Sequence, residues 1–290
     1  MDFFSKRIIK SLLKKHGVFP KKRFGQNFLI DKRVLRKIII AANLKEKDVI
    51  LEIGPGIGNL TQELAKKVKK VIAIEKDKKM VEILKETVGD LKNVKIIQDD
   101  ILKIKPKNYQ LKTKNYKVVA NLPYYIVSPV IRKFLELSEA KPRSMVLMVQ
   151  KEVAQRICAK PPRLRQGFGG QAKMNLLAVS VQLYSKPEII SFVSKKSFWP
   201  QPKVDSAILR IAPLINVNKK LINADLFFRI AKAGFSQPRK QLINNLHSKL
   251  SLSRGEIKQW LKSCGINPSL RAEALDIKAW KSLAKNYRSS

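Results

Sequence analysis

The chain has 290 residues, 44% of them hydrophobic, and carries 60 Lys and Arg against 22 Asp and Glu, a formal net charge of +38. That length holds one large domain and a smaller one around a real apolar core, and the charge, spread over the whole chain rather than gathered in a tail, calls for a polyanionic partner. No apolar run reaches the ~18 residues of a membrane span, and the two cysteines, Cys158 and Cys264, lie far apart in no metal-binding spacing, which argues against a disulfide framework and a zinc site.

The N-terminal stretch MDFFSKRIIKSLLKKHG is basic but broken by lysines every few residues, unlike the apolar segment of a secretory signal. A cytoplasmic protein is expected. Residues 32–43 then place Val34, Leu35, Ile38 and Ile39 at helical spacing. From there strands and helices alternate: a strand over 48–54, a helix over 60–68, a strand over 70–77, a helix over 78–88, and strands over 93–100 and 116–124. A helix over 128–137 and a strand-then-helix over 144–157 complete the series. The alternation predicts an α/β fold with a doubly wound parallel sheet, whose ligands sit at the carboxyl ends of the strands. Residues 160–173, KPPRLRQGFGGQAK, lack periodicity and read as a surface loop. Past Pro213 the pattern turns helical. The expected division is a catalytic domain over 1–212, with a basic N-terminal arm, and a small helical domain over 213–290.

Chemistry gathers at four strand ends. LEIGPGIGNLT (51–61) sets Glu52, Gly54, Gly56 and Gly58 between a strand and a helix. The third glycine of the dinucleotide fingerprint is replaced by Asn59, which disfavours a pyrophosphate. The pattern suits S-adenosylmethionine, with its amino-acid end against the glycine turn. Glu75 ends the next strand, where a carboxylate accepts from both hydroxyls of a ribose. At the third strand end Asp99 and Asp100 compete for the exocyclic amine of the cofactor adenine, and Asp100 falls at the motif position.

NLPYYIVSP (121–129) follows the fourth strand. Adenine N6 is a poor nucleophile because its lone pair is delocalised into the ring. Two acceptors aimed at its N–H bonds, the Asn121 side-chain oxygen and the Leu122 carbonyl held by Pro123, would bind more tightly as charge develops on the nitrogen. Tyr124 would stack on the flipped base. Neither a metal nor a strong general base is required.

With FGQNFLID (24–31), IEKD (74–77), QDDIL (98–102), MVQKEVAQRI (148–157), FWPQPKVDSAILRI (198–211) and AGFSQPRKQLINNL (233–246), these motifs make the chain resemble the ribosomal RNA adenine N6-dimethyltransferase family over residues 19–285. It is most similar to the small-subunit (16S) branch. The resemblance implies a Rossmann-like, S-adenosylmethionine-dependent domain with a C-terminal helical domain, and dimethylation of two adjacent adenosines near the 3′ end of small-subunit rRNA during subunit biogenesis. It implies cofactor contacts from Asn27, Leu29, Gly54, Glu75, Asp100 and Asn121, catalysis around Asn121, Leu122, Pro123 and Tyr124, and Phe198 stacked on the target adenine opposite Tyr124. VDS (204–206) is read as packing. Arg239 and Lys240 would face rRNA in a partly assembled subunit, with the enzyme a monomer. The departures are the PPRLRQGFGGQ stretch and Met174-Asn175, which stand where the family has a shorter segment and a Tyr-Gly pair before the next strand. The competing readings are a large-subunit rRNA methyltransferase of the macrolide-resistance type, a non-catalytic rRNA-binding assembly factor, and a DNA adenine methyltransferase, which usually carries D-P-P-Y rather than Asn121 at the head of the motif.

Overall fold

The structure is a computed structural model that describes residues 3–20, 26–109, 111–112, 115–162, 173–214 and 223–287. Two compact units emerge, one of residues 1–154 and 187–213, the other of 155–186 and 214–290. A single boundary after residue 212 therefore does not describe the chain: 155–186 leaves the first unit for the helical one. The cause is helix α7 (Leu176–Tyr184), which packs on α8 (Ala224–Gly234) and α11 (Ile277–Lys285), partners that no local pattern discloses. The strand expected after Met174-Asn175 is this helix, with the Asn175 side chain accepting from the Ala178 N–H at 3.1 Å as its N-cap. Most of the expected 160–173 loop lies outside the described residues, as do Phe24 and Gly25 of FGQNFLID.

The first unit is built on a seven-stranded sheet in the order β4-β3-β2-β5-β6-β9-β7. Strands β2 (Val49–Ile53), β3 (Lys70–Glu75), β4 (Val94–Gln98), β5 (Tyr116–Asn121) and β6 (Met145–Gln150) run parallel to their neighbours. The central ones are almost continuously apolar and buried, as strands covered on both faces must be. β9 (Ser206–Pro213) is antiparallel to β6 and separates it from β7 (Ser185–Val193). The parallel pairing expected of the alternating strands holds from β4 through β6. Helices α2 (Lys32–Ala42), α3 (Asn59–Ala65), α4 (Lys78–Val88), α5 (Val127–Arg132) and α6 (Lys151–Ile157) follow their strands. α5 ends in a π-helical turn, Lys133–Leu137, within the span expected as one helix.

Local chemistry sets these boundaries. Asp31 caps α2 by accepting from the Arg33 N–H at 2.9 Å, and Asp77 caps α4 by accepting from the Lys79 N–H at 3.0 Å. The basic N-terminal stretch forms α1 (Lys6–Lys15), whose Ile9, Leu12 and Leu13 pack with Phe28, Ile57, Met80 and Ile83. A short pair, β1 (Phe28–Leu29) against β8 (Phe198–Trp199), completes this unit.

Gly58 opens α3 at φ +88°, and a Cβ there would sit 2.8 Å from the Val88 side chain of α4. Gly58→Ala combines positive-φ strain with overpacking, so a loss of roughly 2–4 kcal/mol in urea unfolding is expected. The third glycine of the turn thus serves helix packing.

In the second unit, α8, α9 (Leu242–His247), α10 (Arg254–Ser263) and α11 enclose Phe227, Ile230, Leu246, Leu261 and Trp280. Asn245 donates to the Gly234 and Gln237 carbonyls at 2.7 and 2.9 Å, fixing the turn of GFSQPRKQLINNL and leaving Arg239 and Lys240 exposed.

Candidate functional site

A cavity of about 390 Å³ opens at the carboxyl ends of β2, β3, β4 and β5. Its floor is the Gly turn. Gly54 and Gly56 take φ values of +64° and +60°, which a side chain rarely adopts, and a Cβ at Gly56 would lie 3.5 Å from the Phe28 ring. The Gly54 N–H donates to the Ile74 carbonyl at 2.9 Å, so β3 fixes the turn.

Of the residues expected to bind a cofactor, Asn27, Leu29, Gly54, Glu75, Asp100 and Asn121 all line this cavity, and Pro123 joins them. Leu122, Tyr124 and Phe198 do not. The Leu122 side chain is buried and its N–H donates to the Met148 carbonyl at 3.3 Å. Tyr124 is half-buried, its hydroxyl 2.8 Å from that of Ser206, so the VDS segment anchors the ring that follows Pro123. Phe198 is 2% exposed in the core with Leu29, Val146 and Ile208. Pairing with Leu29 across β1 and β8 turns the Phe198 side chain inward, away from the cavity lining.

Each polar group is set by a neighbour. Asn121 donates through Nδ2 to the Asn27 carbonyl at 3.1 Å, which leaves the amide oxygen as its accepting end. Glu75 Oε1 accepts from the Lys76 and Asp77 N–H groups at 2.8 and 3.0 Å, yet burial still pushes its carboxyl above the ordinary range. For Asp100 burial alone would raise the pKa, but hydrogen bonds from Lys76 Nζ at 2.9 Å and the Leu102 N–H at 2.9 Å outweigh it and hold the carboxylate ionised. Asp99 instead accepts from the Tyr109 hydroxyl at 3.2 Å.

Two residues carry more than the motif showed. Glu52 is fully buried, with no hydrogen-bond partner on either carboxylate oxygen, and burial pushes its pKa up to about 8, with Glu75 adding to the rise. Asn59, which breaks the dinucleotide fingerprint, donates to the Phe3 and Leu29 carbonyls at 2.8 Å each, tying the N-terminal segment and β1 to the turn.

These residues fit a nucleoside carrying a cationic amino-acid tail. The glycine turn admits close backbone approach, Glu75 stands one strand away for a diol, Asp100 one further for an amine, and Ile57 and Ile101 supply apolar wall. The orphaned Glu52 carboxyl is the kind of buried polar group that a bound cation satisfies. Among the described residues, no group of three or more His, Cys, Asp and Glu could hold a metal ion, and no helix is long and apolar enough to cross a membrane.

Residues 19–289 match the family described as ribosomal RNA adenine dimethylase. The chain is 42% identical over 279 residues to the ribosomal RNA small subunit methyltransferase A of Dehalococcoides mccartyi, covering 96% of this chain and 92% of that protein. Among solved structures it is similar to a dimethyladenosine transferase from Plasmodium falciparum, with a TM-score of 0.71 and 28% identity over 88% of this chain and 95% of the other. The 23S rRNA methyltransferase ErmE shares the fold, with a TM-score of 0.69 and 23% identity over 90% and 99% of the two chains. A match of this extent, on a chain whose Gly turn and Asn121 meet at one cavity, settles the lineage: the protein belongs to the ribosomal RNA adenine dimethylase family.

Proposed function

We propose that the chain dimethylates N6 of two adjacent adenosines near the 3′ end of small-subunit (16S) rRNA, using S-adenosylmethionine, and that it does so as a cytoplasmic monomer on a partly assembled subunit. The observation that carries this reading is the convergence of the NLPY strand end and the glycine turn on one cavity.

When bound, S-adenosylmethionine supplies a methyl group activated by its sulfonium. The chain's residues do the rest. Gly54 lets the backbone meet the amino-acid end, Glu75 accepts from the ribose hydroxyls, and Asp100 accepts from the adenine amine. Asn27 and Leu29 close the cavity from the side of β1. On the substrate side, the Asn121 oxygen and the Leu122 carbonyl accept from the two N–H bonds of the target amine, turning its lone pair towards the methyl group. Pro123, at φ −56°, fixes the Leu122 carbonyl. Tyr124, its hydroxyl held by Ser206, stacks on the flipped base. Phe198, buried beside Leu29, would have to turn outward to stack on the target adenine opposite Tyr124. The methylated amine is acidic, so the proton leaves to solvent without a strong base.

Methyl transfer from labelled S-adenosylmethionine to unmethylated small subunits, large-subunit rRNA and duplex DNA tests the reading. Two methyl groups on each of two adenosines of the small subunit are expected. Labelling of large-subunit rRNA alone would instead assign the chain to a resistance-type activity, and tight rRNA binding without transfer would make it an assembly factor. Glu75→Ala removes the diol's acceptor, and charge-assisted hydrogen bonds of this kind are worth about 1.5–3 kcal/mol. S-adenosylmethionine should therefore bind about 10- to 100-fold more weakly by calorimetry, with rRNA affinity unchanged.

A further inference from the structure

Phe192, near the end of β7, is 51% exposed, and the Lys151 ammonium sits 5.2 Å from its ring centroid. Its neighbour Ser191 accepts from Lys37 Nζ of α2 at 3.1 Å, which brings a second cation to the same patch. The chain then runs through Lys195 and Lys196 into β8, whose partner β1 carries Leu29 at the cavity wall. Lys151 itself directly follows β6, at the sheet edge where the cavity opens. Among the described residues, none of these four ammonium groups is in an ion pair. Asp205 accepts from the Lys195 N–H through its carboxylate and from the Lys151 N–H through its carbonyl, at 3.0 Å each.

An exposed aromatic ring among unpaired cations, beside a site that acts on a flipped base, has the composition of a single-stranded RNA platform: the ring stacks a base while the cations track the phosphates. We propose that Phe192 stacks an unpaired base of the substrate RNA flanking the target adenosine, while Lys37, Lys195 and Lys196 hold its phosphodiester backbone and Lys151 polarises the ring from its other side. This rests on the reading that the substrate is rRNA, and extends it from the reacting base to the strand that carries it. Phe192 would then contribute to substrate affinity and not to the chemistry at N6.

The test is equilibrium binding of unmethylated small-subunit rRNA, with methyl transfer measured in parallel, for the wild type, Phe192→Ala, Phe192→Trp and the pair Lys195→Ala/Lys196→Ala. Thermal melting checks that each variant folds. Phe192→Ala is expected to weaken RNA binding about tenfold and to raise KM with kcat and S-adenosylmethionine affinity unchanged, with Phe192→Trp restoring binding. The lysine pair should flatten the dependence of log K on log salt by about 1.4. Wild-type affinity in Phe192→Ala across 50–200 mM salt, with the wild type methylating rRNA, would overturn the platform and leave the activity standing. Weakened binding by Phe192→Ala in a protein that methylates no rRNA would support the platform and refute the activity.

Discussion

Asn121→Ala is expected to lower kcat for methyl transfer by about 10²–10³-fold, the usual cost of deleting one preorganised polar group aimed at developing charge. On the proposed mechanism the amide oxygen accepts from the target N6, and its bond strengthens as the nitrogen becomes cationic in the transition state. Cofactor affinity should fall only modestly, because Gly54, Glu75 and Asp100 line the same cavity and remain. Asn121→Asp separates the acceptor from its support. It keeps an oxygen towards the substrate but loses the Nδ2–H that binds the Asn27 carbonyl at 3.1 Å and sets a second acceptor against that carbonyl. Activity between those of Ala and the wild type is expected. Single-turnover transfer at saturating RNA reads the chemical step directly. An Ala variant within tenfold of the wild type there would mean that the Leu122 carbonyl alone orients the amine.

Much of the cavity was legible in the sequence because Gly54, Glu75, Asp100 and Asn121 each sit where an apolar run ends. In an alternating β/α pattern those ends must share one edge of the sheet, so Gly54, Glu75, Asp100 and Asn121 could be brought together without knowing any tertiary contact. What the pattern could not disclose came from long-range packing. Asn59 looked like a flaw in a glycine fingerprint and is a clamp on backbone carbonyls 30 and 56 positions away. The stacking role of Phe198 came from the family resemblance, since a Phe in such a segment is ordinarily core, and its pairing with Leu29 does place it in the core. Residues 155–186 sat on the catalytic side of an expected boundary because α7, apolar on nearly every side, shows no partner by its periodicity. Beyond β6 the alternation stops, and with it the rule that made the parallel strands readable.

The second large effect belongs to Glu52. Burial raises its pKa to about 8 in the fold, against 4.5 in a free chain. A carboxyl with a raised folded pKa binds more protons folded than unfolded between those two values, so its contribution to stability is intact below about pH 4.5 and is lost as pH climbs towards 8. By pH 7 that loss is roughly 3 kcal/mol, at 1.36 kcal/mol per pKa unit. Glu52→Gln keeps the shape and cannot ionise. It should therefore unfold at higher urea concentration than the wild type at pH 7–8, with the advantage shrinking to nothing below about pH 4. Thr61, buried beside it, favours the anion through its hydroxyl but not enough to reverse this. Glu75 titrates in the same upward direction, so the wild-type curve contains both groups and only its difference from Glu52→Gln isolates one. A group this costly persists where a ligand repays it: with saturating S-adenosylmethionine, a cation in the cavity favours the ionised carboxylate, and the wild type should regain most of its deficit at pH 8. Equal unfolding midpoints for the two proteins at pH 4 and pH 8 would show that water reaches Glu52 and that the buried acid is not neutral.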